Sequence, residues 1–80
     1  MPLRTHWRDL ERSAAREAPD RPGVIEFGDG DGAVQSVTAG VVRDEVKSAL
    51  AYGDAERVRW TTTHTLETAH ERASNHRERL

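Results

Sequence analysis

The scarcity of large apolar side chains is the feature that most limits what this chain can fold into. Only four of its 80 residues are aromatic, and 35% are hydrophobic. A domain of this size buries only about 60–65% of the surface that its unfolded chain exposes. Each large ring must therefore carry a large share of the apolar burial. We expect one thin core, to which Trp7, Phe27, Tyr52 and Trp60 all contribute.

Other features of the composition exclude several classes of protein. The chain has no cysteine, which excludes disulfides and thiolate metal sites. No apolar run approaches the roughly 20 residues of a membrane-spanning helix, and residues 1–4 lack the apolar stretch of a signal peptide. We therefore expect a single domain over residues 1–80, located in the cytoplasm and without a membrane contact.

Two prolines separate an N-terminal element from the rest of the chain. Apolar residues recur at helical spacing over residues 6–17, which predicts a helix there with Thr5 as its N-cap. Pro19 and Pro22 fix φ and remove backbone donors, which is typical of a linker. The expected division is 1–22 for the N-terminal helix and linker and 23–80 for the core.

Strand and helix patterns alternate after the linker. β-branched and aromatic residues favour two strands joined by a Gly-rich turn at 28–32. An apolar stripe then predicts a helix that ends at Gly53 in the left-handed conformation. Alternation along 57–62 predicts a strand, and a weaker stripe predicts a helix over 65–79. The predicted class is α+β, an N-terminal helix followed by β-β-α-β-α. The side chains expected to share one core are Ile25, Phe27, Val46, Leu50, Val58 and Trp60.

The net charge of −2 is distributed unevenly, with an acidic middle and basic ends. Arg43 and Lys47 lie four residues apart on a predicted helix, and Arg57 and Arg59 share one face of the next strand. If these four converge on one surface, they suit a phosphate backbone, because Arg binds phosphate bidentately. The alternative is a solvated face balanced by nearby acids. Eleven of the twelve basic residues are Arg, a usage that resembles proteins of halophilic archaea.

Two motifs contain the residue types of metal sites. Asp29 and Asp31 have the opening spacing of an EF-hand loop, but Gly40 occupies the position of the required bidentate Glu. Glu67 and His70 form a Glu-x-x-His pair, of which a di-metal bundle site needs two copies. We expect no metal and no cofactor. The first motif is interpreted as a hairpin turn and the second as part of a solvated helix face.

Three segments of the core resemble motifs of a known family. Gly23-Val24-Ile25-Glu26-Phe27 looks like a first GIY motif with its strand, and Ser36-Val37-Thr38 sits where the second motif would end the hairpin. Residues 42–48 look like the helix that follows. Residues 23 to about 73 thus resemble a degenerate GIY-YIG nuclease domain. The resemblance implies a three-stranded antiparallel sheet with flanking helices.

The catalytic positions of that family are only partly matched. The first catalytic Tyr corresponds to Ile25 and the second to Ser36, whereas the Arg that contacts the scissile phosphate matches Arg43. The metal-holding Glu has two candidate matches, Glu71 and Glu67. The resemblance therefore implies a domain that lacks catalysis and binds a protein or, weakly, nucleic acid. The alternative is a divergent nuclease that depends on a divalent metal and uses Arg43 and Glu71.

Overall fold

A computed structural model describes residues 6–78, which form an α+β fold with one antiparallel sheet and three helices. The elements in chain order are β1 (Arg8–Asp9), α1 (Arg12–Glu17), β2 (Pro22–Gly28), β3 (Val34–Val41), α2 (Val42–Tyr52), β4 (Arg57–Thr62) and α3 (Leu66–Glu78). The strand order across the sheet is β1-β4-β2-β3, so β4 and β2 are central. The predicted α+β class is confirmed.

The N-terminal region is where the structure departs most from prediction. The helix expected over residues 6–17 is wrong in its first half, because Arg8 and Asp9 form β1 and α1 begins only at Arg12. The strand β1 pairs with β4, and Leu10 N–H donates to Glu56 O at 2.9 Å. The described sheet therefore has four strands rather than the three implied by the family resemblance. The predicted cap Thr5 lies outside the described residues.

The position of Trp7 explains why this segment is extended. Its ring packs on Gly28, where an added Cβ would lie 2.8 Å from a ring carbon, and it also approaches Gly32. The guanidinium carbon of Arg59 lies 4.0 Å from the centroid of the same ring. Docking this ring beside the sheet fixes the following residues next to β4. Tertiary packing here overrides a local helical spacing, as is common for short segments.

Alternation along β2 divides the apolar residues between two helical layers. Ile25 and Phe27 face α1 and α2, whereas Val24 faces α3. The predicted core is confirmed on the first face: Ile25, Phe27, Val46 and Val58 are buried together, and Leu50 and Trp60 pack against them half-buried. The expectation for Tyr52 is wrong, since its side chain is 90% exposed.

The helix α3 packs closely on β2 and β3 because it buries alanines there, whose side chains are small. Ala69 and Ala73 are fully buried against Val24, Val37 and Ala39. The predicted helix over 65–79 is confirmed across its described part. No helix within residues 6–78 is long and apolar enough to cross a membrane.

The predicted left-handed cap at Gly53 is wrong in conformation although right in position. Gly53 follows the last residue of α2 and donates its N–H to Ala49 O at 2.9 Å, but its φ is −88°. The chain leaves α2 extended and runs directly toward β4. Among residues 6–78, only Gly32 has a positive φ, of 85°.

The acidic turn between β2 and β3 is held by one of its own carboxylates. Asp29 Oδ1 accepts the N–H groups of Asp31 and Ala33, each at 2.9 Å, and Asp29 O accepts the N–H of Gly32 at 3.1 Å. The carboxylate thus stabilises the local backbone, as Asp does in many turns. This arrangement agrees with the interpretation of the segment as a hairpin turn.

A side chain at position 23 should destabilise the fold for a steric reason. An added Cβ would lie 2.6 Å from Thr61 O and 2.7 Å from Val42 Cγ2, so Gly23→Ala should lower the free energy of unfolding by about 1–3 kcal/mol. Its cross-strand partner Gly40 is the matched control, because a Cβ there would meet only the rotatable side chain of Glu45. Urea unfolding followed by circular dichroism measures both. Equal losses for the two variants would contradict close packing of β2 against α2.

Candidate functional site

Four cationic side chains surround a groove between α1 and α2. Arg12 and Arg16 lie one turn apart on α1, and Arg43 and Lys47 lie one turn apart on α2. Two adjoining cavities of about 490 and 270 Å³ occupy the space between the helices. We call this feature the basic groove. Its lining residues are Arg12, Ala15, Arg16, Arg43, Lys47 and Leu50.

The position of Arg43 is fixed by its hydrogen bonds. Its Nε donates to Ala18 O at 3.0 Å, and its backbone N–H donates to Pro19 O at 3.1 Å. Both acceptors lie just after α1, so these bonds hold the start of α2 against the end of α1. The other guanidinium nitrogens of Arg43 form no hydrogen bond with any residue of the described chain. Arg43 is therefore a preorganised cation at one end of the groove.

The floor of the groove is apolar. Ala15 is buried and Leu50 is half-buried, and both line the larger cavity. The small side chain of Ala15 allows the two helices to approach, and apolar surface of this kind supports the hydrocarbon stems of Arg and Lys. The charged heads of Arg12, Arg16 and Lys47 are consequently presented at the surface, where the side chains are exposed.

The positive charge of the groove has no ion-pair partner among the residues that the structure describes. Considering residues 6–78 alone, no carboxylate lines either cavity, and none of the four cations forms an ion pair. Like charges four residues apart on a helix destabilise it by about 0.2–0.5 kcal/mol per pair. The groove has two such pairs facing each other. A bound anion would relieve the repulsion.

The structure brings together only two of the four residues predicted to form a nucleic-acid surface. Arg43 and Lys47 lie in the basic groove, whereas Arg57 and Arg59 lie on the opposite face of the sheet. The reason is the alternation of β4: Val58 faces the α1 and α2 layer, so its neighbours face the other way. The four residues therefore do not share one surface.

Sequence reasoning missed the α1 half of the basic groove. Arg12 and Arg16 were not singled out, although both fall within the helix predicted over residues 6–17. Their spacing of four residues repeats that of Arg43 and Lys47 on α2. That repeat was the available signal, but it does not reveal that the two helices pack side by side.

A second feature, on the opposite face of the sheet, is a buried group of charged side chains. Glu26 lies on the central strand β2 and is 0% exposed. Arg59 Nε donates to one of its carboxylate oxygens, and His76 Nε2 donates to the other. The Trp7 ring covers the guanidinium of Arg59. We call these four side chains the Glu26 cluster.

In the Glu26 cluster, both carboxylate oxygens are hydrogen-bonded inside the protein, so the carboxylate is not available to a ligand. A buried carboxylate is costly unless it is paired and hydrogen-bonded. Here each oxygen has a charged or polar donor from a different element, one from β4 and one from α3. The cluster therefore links three elements. His76 belongs to it because it lies on the same helical face as Ala69 and Ala73.

The residues matched to nuclease positions do not assemble in one place. Ile25 is fully buried beneath α1 and α2, and Ser36 is exposed on the edge strand β3. Glu67 and Glu71 are exposed on α3, which packs on the other face of the sheet from Arg43. Among residues 6–78, no three histidine or carboxylate side chains converge as a metal site requires.

Comparison with known proteins gives a family but no characterised relative. A family model described as "Domain of unknown function (DUF7508)" matches residues 1–79, so the chain belongs to that family. The comparisons with curated proteins and with solved structures found no match. A functional proposal must therefore be argued from the geometry of the chain itself.

Removing Glu26 should destabilise the fold strongly. Glu26→Ala leaves Arg59 and His76 buried without their carboxylate partner, and breaking such a buried pair costs about 3–5 kcal/mol. Thermal unfolding followed by tryptophan fluorescence also reports on Trp7, which stacks on Arg59. Glu67→Ala, on the exposed face of α3, is the control and should change stability by less than about 0.5 kcal/mol. Wild-type stability of Glu26→Ala would show that the cluster does not anchor α3.

Proposed function

We propose that this member of the DUF7508 family is a non-catalytic binding domain that holds the phosphate backbone of nucleic acid in its basic groove. One observation carries the proposal: four cations without ion pairs in the described chain surround a groove that no described carboxylate lines. Phosphate contacts from Arg and Lys supply most of the affinity of sequence-independent nucleic-acid binding.

The lining of the groove favours backbone contacts over base recognition. Within the described chain no aromatic ring lines either cavity, so bases have no stacking platform there. The Arg side chains present flat arrays of donors that match phosphate oxygens. Binding should therefore be insensitive to sequence and strongly dependent on salt.

The charge of the rest of the molecule limits the affinity. The chain carries a net charge of −2, so it has no long-range attraction for a polyanion. Attraction acts only close to the groove, within roughly a Debye length of about 8–10 Å at moderate salt. This combination supports weak binding, with an affinity set by the local contacts.

The family resemblance supports binding without cleavage. The antiparallel strands β2, β3 and β4 with flanking α2 and α3 are compatible with a GIY-YIG-like core, to which β1 and α1 are additions. Arg43 matches the phosphate-contacting Arg of that family and lies in the groove. Hydrolysis also needs an activated nucleophile and stabilisation of developing charge. The candidate metal-holding residues Glu67 and Glu71 lie on the other side of the sheet.

Salt dependence and charge removal test the proposal together. Four phosphate contacts predict a slope of about −3.6 for log affinity against log salt on duplex DNA. Lys47→Gln and Arg16→Gln should each weaken binding for all sequences and bring the slope to about −2.7, because one contact is lost. Fluorescence anisotropy with a labelled duplex, titrated at several salt concentrations, gives both quantities.

Two charge-matched variants control for nonspecific electrostatics. Arg72→Gln removes an exposed cation from α3. Arg57→Gln removes a half-buried cation from β4, on the face of the sheet away from the basic groove. Both should leave the slope near that of the wild type. If they weaken binding as much as Lys47→Gln does, the basic groove is not the binding surface. If neither the wild type nor any variant binds the duplex at moderate salt, an acidic protein becomes the better candidate partner.

We expect no cleavage of DNA or RNA with magnesium or manganese present. A single Arg that binds substrate and transition state equally well does not increase turnover. The measurement is incubation with supercoiled plasmid, branched DNA and structured RNA, followed by gel electrophoresis. Metal-dependent cleavage that Arg43→Ala or Glu71→Ala abolishes would overturn the non-catalytic proposal in favour of a divergent nuclease. Cleavage unchanged in both variants indicates a contaminating enzyme.

A further inference from the structure

The other flank of α2 borders a second, chemically different cavity. It has a volume of about 660 Å³ and lies between α2, β3 and the segment that leads into β4. Ligand pockets commonly occupy about 300–1,000 Å³. The cavity exists because the β3 residues that face α2 are Ser36, Thr38 and Gly40. Larger aliphatic residues at these positions would fill the space between helix and strand.

Two carboxylates give this cavity a negative charge. Glu45 and Asp54 line it, and no Arg or Lys of the described chain does so. Neither carboxylate is ion-paired with any residue in 6–78. Glu45 lies directly over Gly40, where an added Cβ would be 2.6 Å from Glu45 Oε1. Because Gly40 has no side chain, there is room beside it for the Glu45 carboxylate.

An exposed aromatic ring completes the cavity. Tyr52 lines it with 90% of its surface exposed, in a chain that has only four aromatic residues. Phe27, which is nearly buried, forms part of the wall. An aromatic ring beside uncompensated carboxylates suits an organic cation, because such a cation is attracted both to the face of the ring and to the anions.

We propose that this cavity is a binding site for a guanidinium group. The planar guanidinium has five N–H donors, stacks on aromatic faces and forms bidentate bonds with carboxylates. Tyr52 provides the stacking surface, Glu45 and Asp54 accept the charged donors, and the hydroxyl of Thr38 accepts a further N–H. The guanidinium belongs to an arginine side chain of a protein partner or to a small free molecule. The site is independent of the basic groove.

Binding is tested by NMR titration of the ¹⁵N-labelled protein with three compounds. N-acetyl-arginine amide represents a protein side chain, agmatine represents a free guanidinium compound, and N-acetyl-citrulline amide is the neutral isostere. The two guanidinium compounds should cause saturable shifts at Ser36, Thr38 and Tyr52, and citrulline should not. The tighter of the two guanidinium compounds identifies the source. Equal shifts with citrulline, or no saturable shift with either cation, would overturn the proposal.

Substitutions at exposed positions locate the site without endangering the fold. Asp54→Asn and Tyr52→Leu should each weaken binding by about tenfold, the change expected when one charged or cation–π contact is lost. Asp44→Asn is the matched control, because Asp44 is an exposed carboxylate of α2 outside the cavity. At a buried position, Gly40→Ala should also weaken binding, because the added Cβ displaces Glu45. Unchanged affinity in Asp54→Asn and Tyr52→Leu, or an equal loss in Asp44→Asn, would sink the assignment to this cavity.

Discussion

The burial of Glu26 at the centre of the sheet is the constraint on which the arrangement of the other elements depends. A carboxylate without solvent contact must be met by donors on both oxygens, and these come from Arg59 on β4 and His76 on α3. Among residues 6–78, the buried apolar side chains beneath α3 are Ala and Val, which bury little area. The charged contacts therefore add to the hydrophobic packing that holds α3 on the sheet.

Apart from Trp7, the large apolar side chains that are buried or half-buried in the described chain pack on the other face of the sheet. Ile25 and Phe27 pack there with α1 and α2, and α2 contacts β2, β3 and β4. Both of its flanks remain accessible. Arg43 and Lys47 face α1 across the basic groove. Glu45 faces β3 across the cavity of about 660 Å³ that Glu45 and Asp54 line. One short helix thus separates two surfaces of opposite charge.

Sequence patterns predicted the elements that local periodicity specifies and failed where long-range contacts decide. The core around Ile25 and Val58 followed from alternation along the strands. The strand β1 did not, because Trp7 is held by residues distant in sequence. Glu26 was interpreted only as a member of the first strand and its GIY-like motif, and a sequence pattern does not reveal its partner His76, 50 residues later. Of the cations in the basic groove, only Arg43 and Lys47 were singled out from the sequence, and helix spacing does not show which helices pack side by side.

Paired and unpaired cations differ in role: the paired ones hold the fold together, and the unpaired ones are those proposed to bind phosphate. Arg59 is largely desolvated, and it has a carboxylate partner and an aromatic cover. Arg16 and Lys47 are exposed and line the same cavity, where two like charges repel each other. Stability alone would favour a carboxylate at one of these positions, as Glu17 of α1 provides for Arg8 of β1. The absence of any such partner within residues 6–78 is the observation on which the proposed binding of phosphate rests.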